Sequence, residues 1–132
     1  MKQLKTILYI MVFLLLLSCS GYGDKLQYLQ TEVYYTSKVD KVEAEKLGEF
    51  LVRSEFAGDN EKSIQLSKND TNGHYQFRMV TSKEAAESKS YETIFKLYAK
   101  QLSDSVFNKQ PVDFHVCDNK FKTLKVIPFN NE

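Results

Sequence analysis

From Tyr28 onward the chain alternates between two hydrophobic periods, and the switches between them predict its elements. Tyr28 to Thr36 has a period of two, with Leu29, Thr31, Val33 and Tyr35 on one face and Tyr28, Gln30, Glu32 and Tyr34 on the other. Its β-branched and aromatic content predicts a first strand. Asp40 followed by Glu43 has the spacing of a capping box. Beyond it, Ala44, Leu47, Gly48 and Leu51 fall on one stripe at about 100° per residue, flanked by Phe50 and Val52. A helix from about Lys41 to Phe56 follows, with Gly48 placed for close approach to the sheet and Gly58 as the stop.

Ser63 to Lys68 and His74 to Thr81 predict the second and third strands, the latter with Tyr75, Phe77 and Met79 on one face. The segment between them contains Asn72-Gly73, a pair suited to a type I′ hairpin turn, which needs positive φ at both central residues. Ser82 to Lys89 reads as loop or first helical turns. From Tyr91 the positions Tyr91, Ile94, Phe95, Tyr98, Ala99, Leu102 and Val106 trace one helical stripe, ended by Asn108 and Pro111. Val112 to Cys117 alternates again, Asp118-Asn119-Lys120 reads as a turn, and Phe121 to Ile127 gives a last strand stopped by Pro128. The order β-α-β-β-α-β-β resembles a two-layer split βαβ, ferredoxin-like plait with one added strand: an α+β fold with two helices on one face of a mostly antiparallel sheet. That fold hosts many activities and selects none.

The stretch before Tyr28 has a different pattern. Lys2 and Lys5 precede an unbroken apolar run from Ile7 to Leu17, ending in Leu16-Leu17-Ser18-Cys19. The run is shorter than the roughly 20 apolar residues of a spanning helix, and suits the apolar region of an export signal, usually about 7 to 15 residues. Leu16-Leu17-Ser18-Cys19 resembles the lipobox of bacterial lipoproteins. The resemblance implies cleavage by signal peptidase II before Cys19, diacylation of its sulfur and acylation of the new amino group, with palmitate-like chains. It sets out residues 1–18 as a cleaved signal, 19–26 as lipidated cysteine and short tether, and 27–132 as a single α+β domain. Ser20, standing where an Asp is the familiar inner-membrane retention signal, points to the outer membrane, facing the periplasm.

Composition narrows the partners. Loss of Lys2 and Lys5 from the 18 basic residues leaves them almost balanced against 17 acidic ones. A near-neutral domain lacks the basic face that nucleic acid requires, and its charge gives no strong attraction to anionic lipid beyond the anchor. With Cys19 committed to lipid, Cys117 is left alone and no intramolecular disulfide is available.

Candidate chemistry gathers on two strands. His115 and Cys117, with Asp113 beside them and Asp118 following, are residue types that ligate zinc or copper, although His74 and one of the carboxylates would have to converge from elsewhere to complete a four-ligand site. As a catalytic pair they are poorly spaced, since side chains two apart on a strand start roughly 7 Å from each other. Packing of Cys117 as a small hydrophobe, with His115 on the face away from the helices, is the plainer alternative. Tyr34, Arg78 and Asp113 lie on that same face and form a candidate protein interface, Tyr and Arg being enriched at such surfaces. Phosphate loops, nucleophile elbows, His-Glu-x-x-His, Cys-x-x-Cys and EF-hand motifs do not occur in the sequence. The expectation is a small lipid-anchored envelope protein, non-enzymatic, needing no cofactor, that binds a protein partner as an envelope-complex subunit or toxin inhibitor. The alternative is a metal or small-ligand binder built on His115 and Cys117.

Overall fold

A computed structural model describes residues 21–130. The expected signal segment and Cys19 lie outside the described residues. Six strands, β1 (Asp24–Tyr28), β2 (Thr31–Tyr35), β3 (Lys62–Lys68), β4 (Tyr75–Val80), β5 (Val112–Cys117) and β6 (Thr123–Ile127), form one open sheet in sequence order. Three helices, α1 (Lys41–Arg53), α2 (Lys83–Glu87) and α3 (Lys89–Ser105), complete the described part of the fold.

This overturns the ferredoxin-like plait. The sheet is mixed: β1–β2, β3–β4 and β5–β6 are antiparallel, whereas β2–β3 and β4–β5 are parallel. In a split βαβ unit another strand separates the two that a helix joins; here each helix-joined pair is hydrogen-bonded directly. The two crossovers advance the same way across the sheet from strands of opposite direction, with their helices on one face. They therefore have opposite hands, and one is of the uncommon left-handed kind.

The extra strand comes from a turn at Leu29-Gln30. Tyr28 pairs with Thr31 across it, so the segment expected to be one strand is the hinge of a hairpin. Leu29 takes a φ of 53°, a conformation usually left to Gly or Asn, and is 81% exposed rather than turned toward the core. Asp24, Lys25 and Leu26, at the end of the expected tether, begin β1. The β3–β4 connection also departs from expectation. Lys68 faces Tyr75 across a longer loop, only Gly73 of the Asn72-Gly73 pair has positive φ, and Asn69 Oδ1 accepts from the Thr71 and Asn72 amides. An Asx-type turn has replaced the two-residue one.

One core lies between sheet and helices. Register aligns Val33, Ile64, Met79 and Val116 in one row, and Leu66, Phe77, Phe114 and Ile127 in the next. Helix α1 places Ala44, Leu47 and Leu51 over β1 and β2; α3 places Phe95, Ala99 and Leu102 over β5. Between them Phe56 stacks on Tyr98, and both reach Phe77 on β4. Gly48 is buried where a Cβ would collide with the Tyr28 ring, which accounts for glycine inside a helix. The short helix α2, capped by Ser82 Oγ accepting from the Ala85 amide at 3.2 Å, buries Ala85 and Ala86 and leads into α3.

Candidate functional site

Alternation sends every second residue of the central strands to the face away from the helices. Pairing places Lys25, Tyr34, Gln65, Arg78, His115 and Val126 in one row across all six strands of that face. Tyr34, Arg78, Asp113 and His115 therefore share a face as the sequence suggested, but the face is not an open solvated one. Gln65, Asp113 and His115 are 8%, 8% and 7% exposed, and Arg78 is partly buried.

Arg78 is the centre of this face. Its Nε donates to Gln65 Oε1 at 2.8 Å, Nη1 to Thr123 Oγ1 at 3.0 Å, and Nη2 to the Phe121 carbonyl at 2.5 Å. Nη1 also lies 3.2 Å from His115 Nδ1. A guanidinium can only donate, so Nδ1 is the accepting nitrogen and the imidazole proton belongs on Nε2. Burial, and then the Arg78 charge, hold the His115 pKa down to about 4 against the opposing pull of Asp113, so the ring is neutral at pH 7. Gln65 completes the chain by donating from Nε2 to the Tyr22 carbonyl at 3.0 Å. Among the described residues Arg78 forms no ion pair; its charge is met by neutral acceptors.

Two segments close over this network. Phe121, at a φ of 56°, sits in a turn where Asp118 Oδ1 accepts from the Lys120 and Lys122 amides, both at 2.9 Å. Those bonds hold the Asp118 carboxyl below its usual range, Lys122 first and Lys120 second. Tyr22 arrives from the N-terminal side. Tyr22, Tyr34 and Phe121 meet edge to face, with ring centroids 5.1–5.7 Å apart, over the polar row.

The remaining candidates separate from one another. His74 Nδ1 lies 3.2 Å from Asp113 Oδ2, and Asp113 Oδ1 also accepts from the Phe129 amide at 2.8 Å, which ties the segment after β6 to the start of β5. Cys117 is fully buried, and its Sγ lies 3.8 Å from the His115 carbonyl. Burial pushes its thiol pKa up, away from the thiolate that nucleophilic or metal chemistry needs. Among the described residues no group of three or more His, Cys, Asp or Glu side chains is placed to hold a metal ion.

A second polar cluster escaped the sequence reading. Tyr75 donates to Glu43 Oε1 at 2.5 Å, Lys68 lies 3.4 Å from the same oxygen and 4.7 Å from the Tyr75 ring centroid, and the Asp40 amide donates to Glu43 Oε2 at 3.2 Å. Burial acts to raise the Glu43 carboxyl, but Tyr75, the Asp40 amide and Lys68 bring it below its usual range; burial and Glu43 raise Tyr75. Glu43 was legible only as a helix cap. Its pairing with Tyr75 depends on tertiary contact between α1 and β4.

Two open grooves of about 660 and 610 Å³ flank Phe56 at one end of the sheet. The first runs between the Leu29-Gln30 turn and the end of α1, the second between Met79 and the start of α3, and neither is lined by a His or Cys. Tyr91, Ile94 and Leu97 on α3 are 49%, 54% and 67% exposed. Two of these, Tyr91 and Ile94, were expected in the buried stripe. They lie on its margin, on the flank that carries Tyr98 toward α1.

Fold and site together define a small α+β domain with a sealed polar centre and an apolar helix flank. Residues 25–127 match the model of the AF_1994_N family N-terminal domain, and the chain belongs to that family. The matched span runs from β1 to the end of β6, so the family unit is the whole six-stranded sheet with its helices. No curated protein and no solved structure matches the chain.

Proposed function

We propose that this is a lipid-anchored envelope protein, tethered through Cys19, that acts without catalysis by docking a protein partner on the outer flank of α3. The observation that carries this reading is a contrast between two surfaces. The Arg78 row, where reactive groups concentrate, spends its donors and acceptors on its own backbone and side chains. Tyr91, Ile94 and Leu97 instead hold large apolar area in solvent, on a helix whose buried side is already satisfied. A side chain of this kind gains roughly 1.5–3 kcal/mol when fully buried, which a partner's apolar surface supplies. Among the described residues no helix is long and apolar enough to cross a membrane.

The test is recovery of partners from gently solubilised membranes at native expression, with the wild type beside Ile94→Asp and Lys46→Asp. Lys46 is an exposed residue of α1 and controls for added charge. A stoichiometric partner kept by Lys46→Asp and lost by Ile94→Asp is the expected result. Equal recovery by both variants, or a wild type recovered alone, contradicts docking on α3.

A further inference from the structure

The path of the chain into Tyr22 limits which side of the domain can face the bilayer. Tyr22 lies on the sheet face opposite the helices: its carbonyl accepts from Gln65 on β3, and its ring packs against Tyr34 and Phe121. Tyr34 is on β2 and Gln65 on β3, so the chain leaves over that face, two residue steps before it enters the edge strand β1 at Asp24. Three residue steps separate Tyr22 from Cys19, a reach of at most about 10 Å. Turning α3 toward the lipid would require the chain to round the β1 edge, up to about 7 Å away along the two residue steps to Asp24. It would then have to pass the thickness of the sheet and a helix of about 10 Å diameter. Three residues cannot do both.

We infer that the aromatic-capped sheet face is a membrane-contact surface, laid against lipid headgroups, with α3 pointing away from the bilayer. This rests on the reading of Cys19 as the lipidated residue. The chemistry of the face fits its occupant. Tyr22 and Tyr34 are partly exposed aromatics with polar ends, the side chains that settle at the headgroup level. Lys120 and Lys122 stand exposed beside Phe121, long enough to keep their ammonium groups among phosphates while their stems lie along apolar surface. Val126, 45% exposed, continues the row at the β6 edge. Acids that would repel the surface are engaged locally: Glu32 with Ser63 and Lys25, and Asp118 with the amides of its own turn. Orientation then gives the α3 flank its purpose, since the anchor presents Tyr91, Ile94 and Leu97 to partners on the aqueous side.

The experiment uses the acylated full chain in phosphatidylethanolamine–phosphatidylglycerol vesicles, with an environment-sensitive fluorophore on Lys120→Cys or on Leu97→Cys. Both positions are exposed, and buried Cys117 does not compete for the label. Quenching by a nitroxide-bearing lipid is expected to be several-fold stronger at position 120 than at 97, and quenching by aqueous iodide several-fold stronger at 97. Equal or reversed patterns on protein whose Cys19 is shown by mass to be acylated overturn the orientation alone. Protein without acyl chains on Cys19 overturns the anchor reading and this inference with it.

Discussion

Replacing Arg78 by alanine is expected to cost about 3 kcal/mol or more, because it removes several hydrogen bonds from a charged donor to largely buried neutral acceptors. The guanidinium donates to Gln65, Thr123 and the Phe121 carbonyl and faces His115 Nδ1, at 2.5–3.2 Å. Hydrogen bonds to a charged group contribute about 1.5–3 kcal/mol each, and a buried acceptor left alone costs about 1–3 kcal/mol. Gln65, His115 and Phe121 are each under a tenth exposed, so water replaces the lost donor poorly. Simple summation would overshoot, because these bonds share one side chain and relax together. Arg78→Lys keeps the charge but not the fork, and is expected to recover only part of the loss. Urea unfolding followed by circular dichroism gives the comparison, with an unchanged m-value marking a change in stability rather than in compactness. A loss below about 1 kcal/mol for Arg78→Ala, less than one net charged hydrogen bond, would refute the structural account of this residue and reopen it as a ligand-binding group.

Three further outcomes follow from the same geometry. His115 has a folded pKa of about 4 against about 6.5 unfolded, so the unfolded chain binds more protons between those values. Stability should therefore fall as pH drops from about 6.5 to 4, by up to about 3 kcal/mol from this group, and His115→Gln should flatten that window. Glu43, held below its usual range, adds a loss of the same sign only at lower pH; an unchanged slope in His115→Gln counts against a buried neutral ring. Cys117, fully buried, should resist a thiol reagent in native protein and react once denatured; rapid native labelling contradicts its burial. Gly48→Ala should destabilise by about 1–3 kcal/mol through overpacking against Tyr28, despite gaining about 1 kcal/mol of helix propensity. Stabilisation by that substitution would contradict the close helix–sheet approach.

Periodicity made the amphipathic elements legible and left their assembly hidden. β4 and β5 show the alternation that put Tyr75, Phe77 and Met79 toward the helices and Arg78 and His115 away from them. β1 was missed because Leu29-Gln30 carries neither Gly nor Asn, the residues that announce a tight turn. α2 stayed open between loop and helical turns because a five-residue helix is too short to display a period. Strand order stayed hidden for another reason: it depends on which edges pair, which no single strand's pattern records. The site divides in the same way. Tyr34, Arg78, Asp113 and His115 on regular strands were found; Gln65 on β3 was not singled out, and Tyr22, Phe121 and Thr123 come from a terminal segment, a turn and a strand whose register shifts beside Val116 and Cys117. That shift lets Thr123 join His115 and Arg78 while Lys125 reaches Glu92 on α3 at 2.8 Å.

The claim on which membrane attachment, orientation and partner access all depend is acylation at Cys19. Intact-mass and N-terminal peptide mass spectrometry of the protein purified from membranes tests it most directly. The expected result is a mature chain beginning at Cys19 with a diacylglyceryl group on sulfur, and accumulation of uncleaved precursor in Cys19→Ala. A mature N-terminus elsewhere, an unmodified Cys19, or normal maturation of the variant would contradict the account.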